Sequence, residues 1–346
     1  MDQLENDFPT KLTSDRAIIE RDYFVLSDTR SADSRLHYQV TIPKTWKMLD
    51  TAPATLSESK PIATQGVIRS TVGPEAELEI EAAHLPREIA PADWLAILLE
   101  GLEHEILHSR LTTSAGGDLP DVMSKSVFEG RTIIHRWVAI KNGSFLFLAQ
   151  ARCYEEDYSN FPETFMLATA SIEFLNPIEW PLSEQLQTFS RAEPADFLLV
   201  YPESWQLQLD PNSGEEGLSL NLLSVMDDYV VGTIIFVVIP STDIGVITLR
   251  DRIWEDLQNN DYSGSLSDLE NASATPGLPD RAELVSQVQR RGVAHEIRMS
   301  TGTAEGATYL VAVAGPARET DSQVWAINKR AYQLVINQLR TIPGAE

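Results

Sequence analysis

Tyr38-Gln39-Val40-Thr41-Ile42-Pro43-Lys44-Thr45-Trp46 has a counterpart further along the chain, Phe197-Leu198-Leu199-Val200-Tyr201-Pro202-Glu203-Ser204-Trp205. Each copy alternates apolar positions with period two, the mark of a strand with one buried face. Each closes on a Pro, which has no backbone donor and ends strand pairing, and places a Trp three residues later. That Trp is expected to fold back as a large core plug. Pro43 and Pro202 are separated by 159 residues, and so are Trp46 and Trp205.

Outward from the first copy, Tyr23–Leu26 reads as a short strand before it, and residues 1 to 20 as a polar tail. A loop rich in Ala, Thr, Ser and Pro runs from about Asp50 to Thr64. Gly66–Val72 and Ala76–Ala82 read as strands around a Gly73-Pro74 turn. Pro91-Ala92-Asp93 opens a helix with Leu95, Leu98, Leu99, Leu102 and Ile106 on one face, ended by Ser114-Ala115-Gly116-Gly117. Strands follow near Ser124–Phe128, Thr132–Ile140 and Phe145–Cys153, with Asn142-Gly143 as a hairpin signal between the last two. Phe145–Ala149 is apolar on both faces and should be covered above and below. A closing helix carries Phe161, Phe165, Ala168, Ile172 and Leu175 and stops at Asn176-Pro177.

Pro177 to Pro194 reads as a connector. After the second copy come strands at Gly217–Leu223 and Thr233–Ile239. A helix bearing Leu249, Ile253, Trp254 and Leu257 follows, then a polar loop from about Asn259 to Asp280. Strands at Glu283–Arg290, Ala294–Ser300 and Thr308–Ala314 lead to a last helix presenting Val324, Ile327, Ala331, Leu334 and Val335, with Pro343 beyond it. The two halves share one element order, which argues for a duplicated domain. The expected organisation is a tail at 1–20, a first domain at 21–178, a linker at 179–195 and a second domain at 196–346. The expected class is α+β: two tandem repeats, each an antiparallel sheet flanked by helices.

This order resembles the Mog1/PsbP/DcrB-like fold, an antiparallel sheet between two helices. Members often begin with an apolar strand ending in Pro and a nearby Trp, as in Val40–Trp46 and Leu199–Trp205. They often end with an aliphatic strand feeding a helix, as in Phe145–Leu175 and Tyr309–Ile342. The resemblance covers about 21–178 and 196–346. Its members are mostly binding proteins, including bacterial accessory proteins that chaperone type VI secretion effectors. It implies a non-enzymatic adaptor or chaperone with a protein partner, such as a secreted effector, and it transfers no functional motif.

The chain has 346 residues, is 43% hydrophobic and carries a formal net charge of -24. That composition suits a globular protein with a real core in each half. The charge argues against nucleic acid and against anionic membrane surfaces as partners. It fits a highly soluble protein or one whose partner is basic or aggregation-prone. The start, Met1 to Asp7, is acidic without an apolar stretch, and no apolar run reaches membrane-spanning length, so the expected place is the cytoplasm. The longest run, Val230 to Pro240, reads as a buried strand. The single cysteine, Cys153, excludes an intramolecular disulfide and reads as a small core residue.

His104-Glu105-Ile106-Leu107-His108 matches H-E-x-x-H. On a helix both imidazoles would share one face and could hold zinc, with Glu105 activating its water. That makes a zinc hydrolase the alternative reading. Against it, both histidines fall about 200° from the Leu102 and Ile106 stripe at ~100° per residue, and no third ligand follows. His37, His84, His135 and His295 are scattered. Glu155-Glu156-Asp157 and Asp227-Asp228 read as solvated acidic loops, and Trp180 as a lone exposed aromatic. No catalytic, cofactor or metal residue is therefore assigned, and no cofactor. A structural subunit of a larger assembly is the third reading.

Overall fold

The computed structural model describes residues 7–57, 61–114, 117–193, 195–211, 213, 217–240 and 245–341. Met1–Asn6, Ala115-Gly116 and Pro343, which carry parts of the expectations above, lie outside the described residues. The protein is α+β with antiparallel sheets and few helices, and it divides into two compact units. One comprises residues 1–86 and 91–183, the other residues 87–90 and 184–346.

The first unit opens with helix α1 (Arg16–Asp22), then strands β1 (Tyr23–Asp28), β2 (Tyr38–Pro43), β3 (Trp46–Met48), β4 (Ile62–Ser70) and β5 (Ala76–His84). Helix α2 (Pro91–Gly101) leads into β6 (Glu105–Ser114), β7 (Gly117–Phe128), β8 (Arg131–Asn142) and β9 (Phe145–Tyr154). Helix α3 (Pro162–Ala170) and β10 (Glu173–Phe174) close it. The main sheet has the order β3-β4-β5-β9-β8-β7-β6, and β1, β2 and β10 form a separate three-stranded ribbon. Tyr38, Val40 and Ile42 point into the core, as their alternation requires, and Trp46 is buried against Phe161 and Phe165. On the inner face of the sheet, Leu78, Ile80, Phe147 and Ala149 pack with these residues and with α3. Residues 145–151 of β9 are buried on both faces, as their composition predicts.

The second unit runs β11 (Leu186–Arg191), β12 (Phe197–Pro202), β13 (Trp205–Leu209), β14 (Leu218–Met226), β15 (Tyr229–Ile239) and α4 (Val246–Gln258). Short strands β16 (Tyr262–Ser263) and β17 (Glu270–Asn271) precede β18 (Ala282–Arg290), β19 (Val293–Ala304), β20 (Ala307–Pro316), α5 (Ser322–Gln338) and β21 (Arg340–Thr341). Its sheet order is β13-β14-β15-β20-β19-β18-β16, and β11, β12 and β21 form the ribbon. Its sheet has two apolar clusters. One, under α5, centres on Phe197, Phe236, Tyr309 and Tyr332; the other, under α4, on Leu249, Ile253, Ile297 and Met299.

Several elements differ from the sequence reading. The helix beginning at Pro91 was expected to run through Ile106, yet it stops at Gly101, and 105–114 is a strand. Glu103 takes φ 57°, its N–H bonds the Glu100 carbonyl and the His104 N–H bonds the Leu99 carbonyl. This is a Schellman end with a non-glycine residue in the left-handed position. The closing helix of the first unit is shorter than expected, with Phe161 capping it and Ile172 and Leu175 beyond it. The connector holds β11, which pairs along the whole of β12. The polar tail seats Phe8 at 3% exposure and forms α1. Val230 in the long apolar run is 48% exposed. Asp227-Asp228 form the two-residue loop between β14 and β15, both at positive φ, as a type I′ turn demands.

Candidate functional site

Strand β5 reads Ala76-Glu77-Leu78-Glu79-Ile80-Glu81-Ala82, so period two sends the apolar residues into the core and the three glutamates to the outer face. Pairing carries a polar row across that face. Register sets Arg69 on β4 opposite Glu77, Glu77 opposite Arg152 on β9, Arg152 opposite His135 on β8, and His135 opposite Ser124 on β7. The next row holds Glu79, Gln150, Trp137 and Val122. Helix α2 packs over β7 and β8, with Leu95 and Leu99 buried. Beside it lies an open groove of about 880 Å³. Its floor is Glu77, Glu79, Arg152, Gln150 and His135, and its edge carries exposed Val127, Phe128 and Leu102.

The floor is cross-linked. Glu77 is bound by the guanidiniums of both Arg69 and Arg152, and Arg152 also lies 3.5 Å from Glu79. Thr64 Oγ1 donates to Glu79 at 3.1 Å. Four carboxylates, those of Glu75, Glu77, Glu79 and Glu81, line the groove against two guanidiniums, so its charge is net negative.

The histidines sit in a neutral network. Trp137 Nε1 donates to Ser124 Oγ at 2.9 Å, and His104 Nδ1 lies at the same distance from that hydroxyl. His104 and His135 stack with ring centroids 4.5 Å apart. Gln150 Nε2 donates to His135 Nδ1 at 2.7 Å, so the ring proton lies on Nε2 and is donated to Ser126 Oγ at 2.8 Å. Burial, then the neighbouring His104 and Arg152, push the His135 pKa down to about 3. Burial also lowers that of His104.

Ser126, His135 and Gln150 have the spacing of a nucleophile, base and orienting group, but the proton runs the wrong way. A general base for Ser126 needs a bare Nε2, and with the Gln150 amide nitrogen on Nδ1 the ring carries its proton there. Cys153 also borders the groove, and burial pushes its thiol up to about 12, which keeps it protonated.

The two histidines of the H-E-x-x-H string do not converge. His104 precedes β6 and faces Ser124 and Trp137 on the outer side. His108 pairs opposite Met123 and stacks on Phe8, which belongs to the inner core. A bulge between Ile106 and His108 completes the separation. Among the described residues no group of three His, Cys, Asp or Glu side chains is placed to hold a metal ion. Glu156 of the Glu155–Asp157 cluster pairs with Arg131, and Trp180 is 39% exposed. The groove itself escaped sequence reading. The Glu77-x-Glu79-x-Glu81 alternation was its one visible signal.

Five of the six positions at the same count in the second unit's sheet are apolar, and the sixth is Thr233. Counted from the closing pairs Asn142 and Phe145 on one side and Ala304 and Ala307 on the other, His135 and Arg152 match Ile297 and Ala314. Trp137 and Gln150 match Met299 and Ala312, and Glu77 and Glu79 match Thr233 and Ile235. There α4 packs over β20 and covers the surface, whereas α2 lies over β7 and β8.

No family model matches the chain, and no curated protein matches it. Among solved structures, cyanobacterial PsbP (CyanoP) from Synechocystis sp. PCC 6803 is 12% identical, with 48% of this chain and 99% of that one covered and a TM-score of 0.34. LpqN, involved in cell envelope biogenesis of Mycobacterium tuberculosis, is 14% identical over 44% of this chain and 92% of its own, with a TM-score of 0.30. The T6SS immunity protein TplEi of Pseudomonas aeruginosa is 10% identical over 93% of this chain and 98% of its own, with a TM-score of 0.26. No described helix is long and apolar enough to cross a membrane.

Proposed function

We propose that this chain is a non-enzymatic protein-binding protein, and that the groove on the outer face of the first sheet takes a basic, amphipathic segment of its partner. One observation carries this reading. The surface that α4 covers in the second unit is left open in the first and is refaced with glutamates. A floor with excess carboxylates beside an edge of Val127, Phe128 and Leu102 suits a segment that offers Lys or Arg on one side and apolar residues on the other. The net charge of -24 steers such a partner in and repels further copies of the chain.

We further propose that the two units are copies of one fold. The matching sheet orders, the matching ribbons and the buried Trp46 and Trp205 support this. An adaptor or chaperone for a secreted client is the role that fits such a pair.

The test is fluorescence anisotropy of a labelled basic amphipathic peptide against the full chain. Glu75→Lys combined with Glu79→Lys should weaken binding at least tenfold, and Val127→Asp several-fold, with unfolding midpoints retained. Equal binding by the charge-reversed variant, or equal binding of an acidic peptide of the same pattern, would overturn the proposal.

A further inference from the structure

Ahead of α1, Phe8–Ser14 belongs to no helix or strand, and among the described residues Phe8–Thr13 takes part in no backbone–backbone hydrogen bond. Side chains of the first unit hold it instead. Arg110 on β6 donates to the Phe8 carbonyl through Nη1 at 2.8 Å and to the Pro9 carbonyl through Nη2 at 2.7 Å. Arg136 on β8 donates to the Pro9 carbonyl as well, at 3.1 Å, and the Tyr158 hydroxyl donates to the Asp7 carbonyl. Three consecutive carbonyls are thus each received by a side chain. The buried Phe8 ring centroid lies 3.7 Å from the Arg110 guanidinium carbon and 4.7 Å from that of Arg136, and the ring stacks on His108. Both guanidiniums share one carboxylate, Asp121. Their excess positive charge is met by carbonyl oxygens and an aromatic face, which are what a peptide can offer. Pro9, also buried, has no N–H to satisfy there.

Past Pro9 the fit ends. Thr10 and Leu12 border a cavity of about 310 Å³ yet stay exposed, and the wall beyond them includes Leu119, Val138, Met166 and Leu167. Thr13 and Ser14 then bond the Glu163 carboxylate on α3, and α1 buries none of its residues. Phe8 and Pro9 are therefore the two buried anchors of the segment. We propose that this inner face of β6–β8 is a peptide-binding site, for a partner segment with an aromatic residue, then proline, then an apolar side chain, and that Phe8–Leu12 is its built-in, exchangeable occupant. The aromatic–proline pair repeats the ring and carbonyl contacts of Phe8 and Pro9, and the apolar side chain enters the chamber that Thr10 only borders. Tethering gives the resident segment a high effective concentration, so a competitor needs that extra contact to displace it. No residue lining the glutamate groove lines this chamber, so either proposal can fail without the other.

The experiment titrates a fluorescein-labelled peptide of residues 7–14 with the full chain carrying Phe8→Ala, which vacates the ring site, and reads anisotropy. The peptide should bind this chain at least tenfold tighter than the unaltered chain, and should lose at least tenfold when it carries Phe8→Ala itself. Thr10→Leu in the peptide should tighten binding at least threefold. In the unaltered chain, excess Thr10→Leu peptide should speed amide hydrogen exchange at Thr13, whose N–H donates to Glu163 at 2.6 Å. That arm decides the matter if the Phe8→Ala chain does not fold. No binding to a folded Phe8→Ala chain, equal binding of peptides with and without the Phe, no gain from Thr10→Leu, or unchanged Thr13 exchange under millimolar peptide would each overturn the site.

Discussion

His104 and His108 lie on opposite faces of the first sheet, one hydrogen-bonded to Ser124 and the other stacked on Phe8. A sheet is one backbone layer thick, so imidazoles on its two sides cannot close on a single ion at the ~2.0–2.1 Å that zinc requires. Purified protein equilibrated with zinc and then dialysed should retain far less than one equivalent, and His104→Ala and His108→Ala should leave that value unchanged. One tightly held zinc, lost in either variant, would contradict the geometry.

The His135 imidazole gives stability a definite pH dependence. Its folded pKa is depressed to about 3 by burial and by His104 and Arg152, against 6.5 for the free side chain. The unfolded chain therefore binds a proton at His135 below pH 6.5 and the folded chain does not. The contribution is present in full above pH 6.5 and is lost as pH falls towards 3, at up to about 1.4 kcal/mol per pH unit. Denaturant melts between pH 7 and pH 4.5 should show this slope, and His135→Gln should flatten it. An unchanged slope in the variant would assign the acid sensitivity elsewhere.

The fold was more legible than the groove, for a physical reason. Strand alternation and the Pro-x-x-Trp closure are local, and Tyr38–Trp46 and Phe197–Trp205 adopt the predicted strands with both Trp buried. The helix at Pro91 ends at Gly101 although Leu102 and Ile106 continue the i, i+4 spacing. What stops it is Glu103 in a left-handed conformation, a choice made by the backbone and not by side-chain polarity. Once that segment is a strand, His104 and His108 part company, and the shared helix face that the metal motif requires is gone. The polar row from Arg69 to Ser124 joins residues far apart in sequence through strand register. Register follows from the hairpins together and cannot be read from any one of them.

Glu103 also offers a stability test. A side chain in the left-handed region costs roughly 1–2 kcal/mol, and glycine avoids this at the expense of a more flexible unfolded chain. Glu103→Gly should raise stability by roughly 0.5–1 kcal/mol, visible as a higher urea midpoint at constant m-value. A lower midpoint would mean that the Glu103 side chain makes a stabilising contact.

In the second unit, Asn328 of α5 sits over two glycines, Gly232 on β15 and Gly315 on β20. Its Nδ2 donates to the Val231 carbonyl at 3.0 Å, and the residue is buried. A Cβ built on either glycine would run into the Asn328 amide. Both glycines have ordinary strand backbone, so close approach is what demands them, not φ. Gly232→Ala should therefore destabilise the protein by about 1–3 kcal/mol, the range for overpacking a core. Asn328→Ala removes the obstructing amide along with its hydrogen bond, and should cost about 1 kcal/mol or more by itself. In the double variant the added cost of Gly232→Ala should largely vanish, because the methyl then has room. Chemical denaturation of the four proteins forms a double-mutant cycle, and the coupling should exceed its usual additivity error of about 0.3–0.5 kcal/mol. Strict additivity would show that Gly232 is not held small by Asn328.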